Sequence, residues 1–216
     1  MRDAILRQAI SLIKEHGFTR KTLSLAPLKL SNNPTDSPLS ETAITALFGR
    51  GDDARRTLIN AWLDEGLVSM RNGERGEKED YTSIRSTLRR RLSWNEPILE
   101  LLPEAFALLT ASGSDLFPIM HITPAMSHVG RVAHEACRLS GDTSVGTDWY
   151  TTRASLALVY GASELHQLTS PRTAFQFLDT LLESRSHTHQ VFSDTAQFGD
   201  YVFRSMRSIA KSRGLI

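Results

Sequence analysis

The residue types best suited to recognising another molecule gather in one stretch, "GDTSVGTDWYTTRASLALVYGASELHQL", residues 141–168. Trp149, Tyr150 and Arg153 open an apolar helix directly after a turn. Trp, Tyr and Arg are enriched at binding hot spots. Helical spacing from Tyr150 puts Ala154, Ala157, Leu158, Gly161, Leu165 and Leu168 on one stripe. Its middle is rich in small residues, which let a second helix approach closely. Trp149, Arg153, Leu156 and Tyr160 fall on the opposite side. That aromatic, cationic face suits a partner surface. It equally suits a core in which Trp149 and Tyr160 are buried and Arg153 pairs with Asp148 or Glu164. Residue types alone leave both readings open.

Other reactive residues form no catalytic pattern. A carboxylate-bridged di-iron bundle uses Glu-x-x-His pairs, and "SELHQ" and "AHEAC" do not supply them. His121, His128 and His134 share no helix face with a carboxylate at ligand spacing and read as capping or surface histidines. His187 and His189 form a bare His-x-His, weak grounds for a metal. Cys137 lies in an apolar helix and reads as a small hydrophobe. No phosphate-cradling glycine loop or nucleophile elbow is present. The expectation is a protein that is not an enzyme and uses no cofactor or metal.

The chain has 216 residues, enough for a real core, and a formal net charge of +1. That balance argues against a surface built wholly for nucleic acid. One cysteine excludes an intrachain disulfide. No apolar run reaches the roughly 18 residues of a membrane span. The first helix carries Asp3 and Glu15, unlike an acid-poor transit peptide.

Helical periodicity runs through the chain, and no strand alternation is evident. "DAILRQAISLIKEH" forms a stripe that Gly17 ends. "TRKTLSLAPLKL" is a short helix cut by Pro27, and "SNNPTDSPLS" is a loop. Ser40 caps "ETAITALF" and Gly49 stops it. "DDARRTLINAWLDEGLVSMRN" begins with acids at its positive end. The charged "GERGEKED" reads as a linker. Further helices are expected near 81–94, 103–112, 124–139, 148–168, 171–185 and 193–213. The domain reading is 1–72, 73–192 and 193–216.

The first four helices resemble the N-terminal domain of the TetR family of repressors over about residues 1 to 70. In that family a recognition helix enters the major groove. Here the turn between Leu30 and Ser40 is long for that motif. The helix from Ser40 to Phe48 carries no Arg, Lys, Asn or Gln, and its one charge, Glu41, repels phosphate. The expectation is an all-α, TetR-like bundle of about nine to ten helices that binds no nucleic acid. The alternative is a ligand-responsive transcription regulator on the same fold.

"GDTSVGTDWYTTRASLALVY" resembles the signature of the ninth coenzyme Q biosynthesis protein family. The match falls on Gly141, Asp142, Ser144, Trp149, Tyr150, Arg153, Ala154 and Leu156. "FQFLDTLLESR" resembles the segment that follows in that family. Ser140 stands where Ala is usual, and Gly146 where an acid is common. The resemblance implies a TetR-like fold without DNA binding and a homodimer. It implies a lipid-binding protein that presents isoprenoid quinone precursors to the di-iron demethoxyubiquinone hydroxylase, within the coenzyme Q synthesis complex. The location implied is the matrix side of the mitochondrial inner membrane. Asp142, Trp149, Tyr150, Arg153, Leu156 and Tyr160 then form the partner surface. Apolar residues expected along a lipid pocket are Phe106, Leu109, Met120, Val132, Leu158, Phe175 and Leu178.

The C-terminal segment is two-faced. Phe198, Val202, Met206 and Ile209 align on one side, with Phe203 and Ala210 flanking; Asp200, Arg204, Arg207 and Lys211 lie opposite. An apolar aromatic face against a basic one suits a helix lying on an anionic membrane, as the resemblance also implies. The alternative is an amphipathic helix packed on the core or on a second subunit.

Overall fold

A computed structural model describes residues 1–30, 37–71, 83–110 and 123–187. The described residues form nine α-helices joined by turns and 3-10 segments, with no strand. The all-α expectation holds, and the order of short helices near the N-terminus is consistent with the TetR-like label. The chain divides into two compact units, Met1–Glu65 and Gly66–Ile216. The division falls inside a helix rather than in the charged linker, which lies outside the described residues. The last turns of that helix carry Leu67 and Met70, which pack in the core of the second unit.

In the first unit, α1 (Arg2–His16) buries Ile5, Ala9, Leu12 and Ile13. Gly17, at φ 67°, lets the chain leave that helix. Thr19 caps α2 (Arg20–Leu25) by accepting from the Thr22 backbone. Pro27 ends the α-helical turns, and Ala26–Lys29 continue as a 3-10 turn. Ser40 caps α3 (Glu41–Phe48) as expected, accepting from the Ala43 N–H. Arg20 ties this region together. Its Nε donates to Glu41 Oε2 at 2.8 Å and its Nη2 to Thr45 Oγ1 at 2.9 Å. The exposed positions of α3 are Glu41, Thr42 and Ala46, none cationic.

The fourth helix, α4 (Asp52–Arg71), starts with Asp52 and Asp53 as the helix dipole favours. The second unit adds α5 (Ile84–Asn95), α6 (Leu102–Thr110), α7 (Thr123–Leu139), α8 (Thr147–Thr169) and α9 (Ala174–His187). Its core joins Leu88 and Leu92 of α5, Val132, Ala133, Ala136 and Cys137 of α7, Leu156 and Tyr160 of α8, and Leu178 of α9. Cys137 is buried there, as its setting suggested. Close packing of α7 on α8 follows from the small-residue stripe: a Cβ placed on Gly161 meets Val129 Cγ1 at 3.3 Å.

The buried arc of α8 differs from the stripes read off its sequence. Leu156, Ala157, Tyr160, Ser163, Glu164 and Gln167 face inward, while Ala154 is exposed. The helix packs against α5, α7 and α9, so its buried arc spans parts of both expected faces. The expected C-terminal helix and its residues Phe198, Val202, Phe203, Arg204, Met206, Arg207, Ile209 and Lys211 lie outside the described residues, as does Met120.

Candidate functional site

The turn before α8 is built by Gly141. The Gly141 N–H donates to the Arg138 carbonyl at 3.3 Å and the Asp142 N–H to the Cys137 carbonyl at 3.0 Å. This paired closure of a helix end needs a left-handed residue, and Gly141 sits at φ 73°. The reversal carries Asp142 back over the first turns of α8. There Asp142 Oδ2 accepts from Arg153 Nη1 at 2.9 Å and from the Ser144 hydroxyl at 2.8 Å, while Oδ1 accepts from the Ser144 N–H at 3.2 Å. The Ser144 hydroxyl, its N–H and the Arg153 guanidinium hold the Asp142 carboxyl below its ordinary range against a smaller effect of burial.

Arg153 is the pivot. Its Nη1 also donates to the Trp149 carbonyl at 3.2 Å, and its Nε to His134 Nδ1 at 3.3 Å. Its guanidinium carbon lies 4.1 Å from the centre of the Trp149 ring. A guanidinium over an indole is a favourable cation–π pair. Trp149 also meets Tyr150 edge-on at 4.8 Å and His134 at 6.2 Å. Arg153 thus pairs with Asp142, and neither Asp148 nor Glu164 is its partner. The aromatic–guanidinium cluster opens on a cleft of about 430 Å³. Leu67, Arg71, Gly130, Arg131, His134 and Glu135 help to line it. Tyr150 is 70% exposed at its edge.

Of the six residues expected on a partner surface, Asp142, Trp149, Tyr150 and Arg153 come together here. Leu156 and Tyr160 do not. Both are fully buried, because beyond its second turn α8 is packed against α5, α7 and α9. They are core residues, and the surface reading of these two is corrected.

The expected pocket residues are dispersed. Val132 and Leu178 sit in the hydrophobic core cluster. Phe106 and Leu109 are buried on α6. Leu158 is half-buried, and Phe175 is half-buried beneath the Arg89 guanidinium at 5.3 Å. None of them lines the cleft beside Trp149.

A buried polar cluster went unread in the sequence. Tyr160 donates to Glu164 Oε1 at 2.6 Å, and Asn95 Nδ2 donates to the same oxygen at 2.9 Å. His128 Nε2 lies 3.2 Å from Glu164 Oε2, and Arg91 Nη1 donates to Asn95 Oδ1 at 2.6 Å. His128 is therefore neither a capping nor a surface residue; it is 6% exposed. His134 is exposed, as expected. Burial alone would raise the Glu164 carboxyl, but His128, Arg91 and the Tyr160 hydroxyl outweigh it and hold it at about 2. The sequence signal was a Tyr-x-x-x-Glu spacing within α8. Among the described residues no group of His, Cys, Asp and Glu is arranged to hold a metal ion.

Fold and site define an all-α protein with a guanidinium-braced aromatic cleft on one bundle face. Residues 122–201, which include this cleft's Trp149, Tyr150 and Arg153, match the COQ9 family model. The chain is similar to the ubiquinone biosynthesis protein coq9 of Schizosaccharomyces pombe, 28% identical over 129 residues, covering 58% of this chain and 49% of that protein. It is similar to COQ9 of Drosophila melanogaster, 27% identical over 217 residues, covering 96% and 62%. With human COQ9 it is 22% identical over 205 residues, covering 91% and 60%. The chain is thus similar to the COQ9 proteins of ubiquinone biosynthesis, and the resemblance at 141–156 is matched by these comparisons. It spans about half to three-fifths of the length of these relatives, which are named mitochondrial. No helix among the described residues is long and apolar enough to cross a membrane.

Proposed function

We propose that this protein is a lipid-binding accessory factor of ubiquinone biosynthesis. It binds isoprenoid quinone precursors and presents them to the di-iron demethoxyubiquinone hydroxylase, docking through the Trp149–Tyr150 face. It works as a homodimer on the matrix side of the mitochondrial inner membrane and catalyses no reaction itself. The observation that carries the docking part is the brace on Trp149. Arg153, stacked at 4.1 Å and anchored on Asp142, fixes an indole beside an open cleft while Tyr150 stays exposed. A preorganised aromatic loses little entropy on binding, which favours its use as an anchor. The lipid part is supported by the resemblance and by the similarity to ubiquinone biosynthesis proteins.

Two measurements test this reading. Mass spectrometry of lipids extracted from the purified protein is expected to show isoprenoid quinones or their precursors. A pull-down with the hydroxylase is expected to fail for Trp149→Ala while the fold survives. Lipid-free protein and intact capture by the variant would together defeat the proposal.

A further inference from the structure

On the wall of the cleft, Glu135 is gripped by two arginines at once, Arg71, which also lines the cleft, and Arg138. Arg71 donates from Nε to Oε1 at 2.8 Å and from Nη2 to Oε2 at 3.1 Å. Arg138 donates from Nη2 to Oε1 at 2.6 Å and from Nε to Oε2 at 3.2 Å. The carboxylate side chain is 6% exposed, whereas Arg71 and Arg138 remain 50% and 52% exposed. Two guanidinium groups thus share one carboxylate, so the triad carries a net positive charge among the described residues. Each planar fork is held in a fixed orientation by its pair of hydrogen bonds, with further N–H donors to spare. A helix end of the second unit and a bundle helix supply them, so nothing in the sequence joins Arg71 to Arg138.

We infer that the Arg71–Glu135–Arg138 triad receives a carboxylate from an acidic protein segment whose neighbouring apolar side chain enters the Trp149 cleft. The inference rests on the proposed reading of that cleft as a docking surface. Charge complementarity names the occupant. Preoriented guanidinium forks match a planar carboxylate, and Glu135 holds them ready without neutralising both. The shape favours a protein segment over a lipid surface. The cleft is concave, with Leu67 and Trp149 among its walls. Among the described residues, a Cβ on Gly130 would meet nothing within 4 Å. A side chain projecting from a helix or loop enters such a concavity, whereas headgroups present a plane.

The test uses the full chain and immobilised demethoxyubiquinone hydroxylase, with affinity measured across ionic strength. Arg71→Gln and Arg138→Gln are made singly, so that Glu135 keeps one guanidinium. Each is expected to weaken binding about tenfold at low salt and to flatten its salt dependence, the signature of a lost charge contact at an interface. Arg85→Gln, on α5 and paired with Glu183 of α9, is expected to leave binding unchanged. Wild-type affinity and salt dependence in both Gln variants, with binding lost in Trp149→Ala, overturns the triad's role and leaves the docking surface standing. Wild-type binding in all three overturns both. Arg71→Lys and Arg138→Lys keep Glu135 paired and carry the test where a Gln variant unfolds. Weakened binding supports the fork geometry, and wild-type binding overturns it. Flotation on phosphatidylcholine vesicles with and without phosphatidylglycerol separates the lipid case. Lost vesicle binding with intact hydroxylase binding in the Gln variants assigns the triad to headgroups and overturns the inference.

Discussion

The guanidinium of Arg153 lies 4.1 Å from the centre of the Trp149 ring while its Nη1 donates to Asp142 at 2.9 Å. Trp149 is half-buried, held from one side and reachable from the other. Trp149→Ala is therefore expected to weaken hydroxylase binding by at least about 2 kcal/mol. Its cost to folding is expected to fall below the roughly 3–5 kcal/mol of a fully buried tryptophan. Affinity measurement and thermal melting on the same preparation check both halves. Unchanged affinity, or a melting loss typical of a core tryptophan, counts against the docking face.

Arg153→Lys keeps the charge but removes the planar group that spans Asp142, His134 and Trp149. The variant is expected to melt a few degrees lower and to shift the fluorescence of Trp149, read as the difference from Trp149→Phe. An unshifted spectrum would show that the indole is positioned without the brace.

Gly141→Ala tests the turn that aims Asp142. A Cβ there meets no atom within 4 Å, so the cost comes from the backbone alone, at φ 73°. That cost is roughly 1–2 kcal/mol for an L-residue in the left-handed region. Denaturant unfolding is expected to show it, with the same change in Gly141→Val or less only if the turn relaxes.

The buried cluster predicts acid sensitivity. The Glu164 carboxyl is lowered from 4.5 to about 2 in the fold. Its stabilising contribution is thus present above about 4.5 and lost as pH falls toward 2. The shift corresponds to roughly 3 kcal/mol when complete. Glu135 is also held at about 2 and contributes in the same direction. Its burial opposes that shift, and Arg138 and Arg71 overcome it. Glu164→Gln is expected to flatten the fall in melting temperature between about pH 4.5 and 2 relative to wild type. An identical profile would remove Glu164 from the account.

Tyr160→Phe removes the hydroxyl that donates to Glu164 at 2.6 Å and leaves the ring in place. Hydrogen bonds to charged groups contribute roughly 1.5–3 kcal/mol, and a loss in that range is expected by denaturant unfolding.

The sequence by itself determined the all-α class and most helix ends, because caps and glycine stops act over a few residues. Ser40, Gly17 and Gly49 marked ends that the fold uses. It also determined the Trp149–Arg153 neighbourhood, since residues one helical turn apart meet whatever else the chain does. Which arc of α8 is buried was decided only by tertiary packing. Helices α5, α7 and α9 approach α8 from different sides, and no period along one helix encodes the directions of its neighbours. Leu156 and Tyr160 therefore turned inward although their stripe continued from Trp149. The partners of Arg153, Glu135 and Glu164 were decided in the same way. Asp142 reaches Arg153 through a reversal, Arg71 reaches Glu135 across 64 positions, and His128 reaches Glu164 across 36. A charge's partner is set by distance in space, and helical periodicity carries information only about distance along one axis.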